Sequence, residues 1–122
     1  MNDERAAAAD EAYEAMRSIA HGLGGPLAPA DVYEFVGSFK LAVHALRQVL
    51  TQTASALAGA VTVYDIGEGP VPGELEPRDP VDGIAAANAS LRRAAGLIEE
   101  AGAELERAQS AIAGQWHRRR TE

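Results

Sequence analysis

Three histidines, His21, His44 and His117, are the side chains here best suited to hold a metal or to move a proton near neutral pH. They stand far apart, and none has a second ligand at the i+3 or i+4 spacing that one helix face would offer a metal. Glu99, Glu100, Glu104 and Glu106 cluster in sequence, but the di-metal bundle pattern needs Glu-x-x-His pairs and the chain contains none. They read as a solvated helix face. Ser18, Ser38, Ser55, Ser90 and Ser110 lack the G-x-S-x-G context of an activated nucleophile. The glycines of "GLGG" lack the preceding strand and following lysine of a phosphate loop. No catalytic, metal-binding or cofactor-binding residue is therefore expected, no small-molecule ligand is evident, and the chain does not read as an enzyme. One further cluster remains, in which Trp116 and His117 precede Arg118, Arg119 and Arg120. At the end of a helix these arginines would oppose the negative end of its dipole; the alternative is contact with an anionic partner.

The elements that carry these residues are legible from apolar spacing. Residues 3–21 read as a first helix of modest amphipathicity, with Asp3 as N-cap and Ala9, Tyr13, Met16 and Ala20 at helical spacing. "HGLGGPLAP" stops it. Asp31 and Glu34 have the spacing of a capping box, while Pro29 would serve equally as the first helical residue. The second helix is accordingly placed at about 31–63, its start lying between 29 and 32. Along it Val32, Val36, Phe39, Val43, Leu46, Leu50, Thr53, Leu57 and Ala60 alternate spacings of four and three, the 3.5-residue period of coiled-coil packing. Phe35, Ala42, Val49 and Ala56 widen this seam beyond what one neighbouring helix would bury.

A third helix is expected over 82–116, capped by Asp82. It carries Ile84, Leu91, Ile98, Leu105 and Ile112 seven apart, with Ala87, Ala94, Ala101 and Ala108 three residues behind the first four. Large residues at one seam position and alanine at the next let two helices approach closely, since interaxial distance depends on the side chains at the contact. Thr53 and the near-seam Asn88 are polar positions that either fix register or, for Thr53, bond the preceding backbone turn. Between the long helices, 65–81 is an acidic, Pro- and Gly-rich loop, and 117–122 is a basic tail. The expectation is a single all-α domain. It would be an antiparallel helical hairpin of two long helices with a short N-terminal helix laid along part of it, forming a three-helix bundle, or a four-helix core on dimerisation.

Composition supports that class. The chain has 122 residues, 26 of them alanine and only six aromatic, so its contacts must come from close helix approach rather than ring packing. It has no cysteine, which excludes disulfides and thiolate chemistry. Lys40, His44 and Arg47 interrupt the most apolar segment, so no membrane span is expected. No secretory leader is apparent in "MNDERAAAADEAYEAM", which makes the cytoplasm the default location. A net charge of −7 argues against binding nucleic acid over the whole surface.

The stretches "GPLAPADVYEFVGSF", "RDPV" and "LRRAAGLIEEAGAELERAQSAIAGQ" resemble small, Ala-rich, uncharacterised actinobacterial proteins often encoded near plasmid-transfer or integrative-element genes. The resemblance implies no catalytic residues. In shape the expected hairpin is similar to WXG100-type secreted proteins, whose two helices flank a Trp-x-Gly turn. Here Trp116 lies far from the interhelical loop, and the Tyr64-to-Glu68 match to a Tyr-x-x-x-Glu signal falls inside that loop. The sequence thus reads as a non-catalytic protein–protein interaction module whose partner is a second copy of itself, serving as an accessory factor of a mobile element. The alternatives are a nucleic-acid-binding accessory protein using Arg118, Arg119 and Arg120, and a WXG100-like secreted hairpin partner.

Overall fold

The computed structural model describes residues 3–67, 69, 73 and 79–121. It contains three helices, α1 (Asp3–Gly22), α2 (Pro29–Ala60) and α3 (Pro80–Ile112), and no strand occurs among the described residues. The protein is all-α. Most of the 65–81 loop read from the sequence lies outside the described residues.

Alanine carries α1, with an exposed Glu14–Arg17 ion pair of 3.5 Å one turn apart. Among the described residues α1 packs against neither long helix. From residue 4 onward its side chains are exposed apart from half-buried Ile19. The expectation that it lies along the other two is not met within one chain. Its stripe of Ala9, Tyr13, Met16 and Ala20 offers little apolar area to offset the ordering of the Gly-rich connector that would fold it back.

Proline decides where both long helices begin. Pro29 opens α2 after Ala28, whose carbonyl accepts from the Asp31 and Val32 amides at 3.0 and 3.1 Å, and no side-chain cap forms. Of the two starts the sequence offers, Pro29 is the one taken and the capping box does not form, because proline presets the helical φ and lacks the amide that would otherwise go unpaired. Pro80 opens α3 in the same way. The Asp79 carboxylate accepts from the Val81 amide at 2.9 Å, so Asp79 rather than Asp82 is the N-cap, and Asp82 sits in the first turn. Both helices also end short of the sequence reading. α2 stops at Ala60, where Thr62, Val63 and Tyr64 donate back to Gly59 and Ala60 in a closing turn, and the β-branched run from Val61 to Val63 is a poor continuation. α3 stops at Ile112 rather than 116. Gly114 follows at a φ of 82°, a left-handed conformation that glycine adopts without steric cost.

α2 and α3 pack side by side, and paired residue numbers rise along one as they fall along the other: Lys40 meets Glu106, Arg47 meets Glu99 and Ser55 meets Arg92. Ala54 and Ala95, at 0% and 3% exposure, are the only buried hydrophobic residues among those described. Val36, Val43, Leu50 and Leu57 from α2 and Ile84, Leu91, Ile98, Leu105 and Ile112 from α3 are half-buried, as expected of the seven-residue ruler.

The intervening positions differ from the sequence reading. On α3 the inward residues are Asn88, Ala95, Gly102 and Gln109, four residues after each ruler position, while Ala87, Ala101 and Ala108 are exposed and Ala94 is half-buried at the margin. A Cβ on Gly102 would stand 3.5 Å from Val43 Cγ1, in ordinary contact. On α2 the inward residues are Lys40, Arg47 and Ala54, while Leu46 and Thr53 face out. Relative to a ruler residue, i+3 lies about 60° to one side and i+4 about 40° to the other, so both flank the seam and helix period alone does not choose between them. Lys40 and Arg47 enter it because a long side chain can bury its aliphatic stem while its charged head reaches the rim.

Ala95→Leu should therefore lower stability by roughly 1 to 3 kcal/mol through overpacking. Ala86→Leu, on the far face of α3, should stay within about 0.5 kcal/mol of the parent. Thermal melts of the two variants decide this, and equal melting temperatures would place the close approach elsewhere.

Candidate interaction surface

The α2–α3 pair has two edges of opposite character. Stepping one residue forward from the rulers gives His44 and Thr51 on α2 and Arg92, Glu99 and Glu106 on α3. This edge is polar and closed. Arg47 Nε lies 3.2 Å from Glu99, Lys40 pairs with Glu106, and Arg92 donates to Ser55 Oγ at 3.5 Å. Lys40 also donates to Gln109 Oε1 at 2.7 Å, and Gln109 Nε2 in turn donates to the Tyr33 carbonyl at 3.0 Å. Gly37 makes room for that clasp: a Cβ there would come within 2.9 Å of Gln109 Nε2.

Stepping one residue back reaches the opposite edge on both helices, because two helices running in opposite senses are related by a two-fold axis that keeps each edge on its own side. On α2 this edge holds Phe35, Ala42, Val49 and Ala56, interleaved with Phe39, Leu46, Thr53 and Ala60. Beside it on α3 runs the exposed or marginal alanine row of Ala87, Ala94, Ala101 and Ala108. This edge is apolar and open. Leu46 and Val49, at its centre, are 43% and 54% exposed, and Phe35 and Phe39 stack at one end with ring centroids 6.1 Å apart. On the α2 side no Lys, Arg, Asp or Glu lies on it, while on the α3 side one step back from Leu105 is Glu104, which pairs with Arg107 on its own helix. From Leu41 to Ala60 the only such residue is Arg47, which is turned toward Glu99. The Thr53 hydroxyl donates to the Val49 carbonyl one turn earlier at 2.6 Å, so the one polar side chain of the stripe has a partner within its own helix.

The remaining candidates stay dispersed. His44 approaches only Gln48, at 3.4 Å, and no group of three or more potential metal-ligating side chains converges among the described residues. Glu104 pairs with Arg107 on its own helix, while Glu99 and Glu106, read from the sequence as solvated, reach across to α2. A signal for that pairing was present: Lys40 and Arg47 are seven apart, as are Glu99 and Glu106, the intervals that match when two helices run in opposite senses. Trp116 is 79% exposed, and Arg118, Arg119 and Arg120 follow it in irregular chain. They lie beyond the last turn of α3, which contains no basic residue, so they do not cap its dipole. Two shallow depressions mark the surface. One, lined by Leu27, Asp31, Glu34, Phe35 and Ser38, adjoins the aromatic end of the stripe; the other lies on the outer face of α3 around Leu97 and Arg107. Among the described residues no helix is long and apolar enough to cross a membrane. No protein-family model, curated protein or solved structure matches the chain.

Because the closed edge rests on half-exposed ion pairs, it should set direction and register more than stability. A double-mutant cycle on Arg47→Met and Glu99→Gln should give a coupling of about 0.2 to 1 kcal/mol that shrinks in high salt. A coupling several-fold larger and independent of salt would show that this edge, and not the apolar seam, holds the pair together.

Proposed function

We propose that this protein is a non-catalytic helical interaction module that works as a homodimer, two hairpins closing their apolar edges on each other into a four-helix bundle. The observation that carries this reading is the uncharged stripe centred on Leu46 and Val49, open along the length of α2. Stable folds bury apolar faces between packed layers, and here the α2–α3 pair leaves Phe35, Leu46 and Val49 of one edge exposed. A second copy supplies the missing layer without any other component, and closed two-fold symmetry is the commonest way such faces are satisfied. The cytoplasm is the proposed location. The setting as a mobile-element accessory factor is suggested by the sequence resemblance alone.

Light scattering at micromolar concentration should report a dimer. Leu46→Glu combined with Val49→Glu should shift the mass to monomer, because two carboxylates would be desolvated at the centre of the contact. A monomeric parent across the accessible concentration range would sink the proposal.

The exposed arginines of the tail motivate a separate check. Three phosphate contacts would give weak binding with a salt slope of about −0.9 per contact in log affinity. In fluorescence anisotropy with a random DNA duplex at about 0.15 M salt, no appreciable binding is expected. Sub-micromolar binding, lost when Arg118, Arg119 and Arg120 are replaced by alanine, would favour a nucleic-acid role instead.

A further inference from the structure

The open stripe carries more information than its hydrophobicity, because its side-chain sizes are graded. Its N-terminal end is bulky, with the stacked rings of Phe35 and Phe39, and its C-terminal end is small, with Ala56 and Ala60. Resting on the proposed self-association, we infer that α2 packs antiparallel against α2 of a second copy, about a two-fold axis passing between Leu46 and Val49. In that register each bulky residue meets a small one: Phe35 faces Ala60 and Phe39 faces Ala56, while Leu46 faces Val49 at the axis. Ala42 faces Thr53, whose hydroxyl is already bonded to the Val49 carbonyl and brings no unpaired polar group into the contact.

The reversal of sizes is what points to a second copy. A two-fold interface is self-complementary by construction: if one residue of a copy contacts a second residue of its partner, the reverse contact also forms. A stripe bulky at one end and small at the other complements itself only when reversed. An unrelated partner would need the opposite gradient built independently. A parallel pairing would crowd the phenylalanines of both copies at one end and face alanine with alanine at the other, splaying the helices and leaving a gap. The antiparallel register keeps the separation even and brings no charges face to face, because Lys40 and Arg47 are turned to Glu106 and Glu99 on the opposite edge.

The chain contains no cysteine, so introduced thiols report this register without background. Ala42→Cys and Thr53→Cys are small changes that should preserve the fold. Under oxidising conditions an equimolar mixture of the two single variants should form a covalent 42–53 dimer. The doubly substituted chain should also cross-link fully. Each single variant alone should stay uncross-linked, because like positions would be offset by eleven residues, about 16 Å along the helix, against the roughly 7 Å that a disulfide spans between Cα atoms. Cross-linking of either single variant by itself would show a parallel pairing and overturn the register. So would a dimeric mass by light scattering with no cross-link in the mixture, and in both cases self-association would stand. A monomeric mass for the parent and both variants would overturn the register and the self-association together.

Discussion

The structure depends on the burial of Ala54 and Ala95 in the seam between α2 and α3. These two methyl groups are the only buried hydrophobic side chains among the described residues, and they lie in the seam along which two helices of 32 and 33 residues pack. The larger ruler residues of the seam, from Val36 and Val43 to Ile98 and Leu105, are half-buried. Bringing the backbones close gains dispersion contacts along the whole interface, each small and together substantial. The geometry also has a cost. Two helices meeting along one stripe have only one stripe each to hide, and the remaining apolar residues of α2 stay in water.

That imbalance explains why the two edges differ. On the closed edge, Lys40 and Arg47 lay their stems along the seam and their heads against Glu106 and Glu99, so solvent meets charge. On the open edge solvent meets Leu46, Val49 and the stacked Phe35 and Phe39. A solvated face would carry charge at these positions, as the outer face of α3 does with Glu100, Glu104 and Arg107. The absence of charge along this one edge of α2 is therefore the feature of the sequence that bears on an interaction role.

Within one chain α1 does not relieve the imbalance, since among the described residues it packs on neither long helix. Its helical state follows from alanine content and a local ion pair rather than from burial. A helix sustained by propensity needs no tertiary partner to form, but it adds little apolar cover where α2 needs it.

The sequence by itself determined the secondary structure class, the three helices and the seven-residue ruler, because helix propensity and apolar periodicity are local properties written residue by residue. Helix starts were less legible. For α2 the sequence offered both Asp31 and Pro29, and for α3 Asp82 looked like the cap, yet Pro29 and Pro80 set the beginnings, since a fixed φ outweighs an available side-chain oxygen. Only the tertiary structure decided which flank of each ruler faces inward. Alanine stands at 94 and at 95 alike, so composition there is silent, and on α2 apolarity favoured Phe39 and Leu46 over Lys40 and Arg47. The choice turned on the partner. Glu99 and Glu106 wait on α3 at the interval that Lys40 and Arg47 can reach, and pairing them rotates α2 so that its apolar edge faces out. Such a rotation depends on residues more than fifty positions away, and local periodicity carries no information about them.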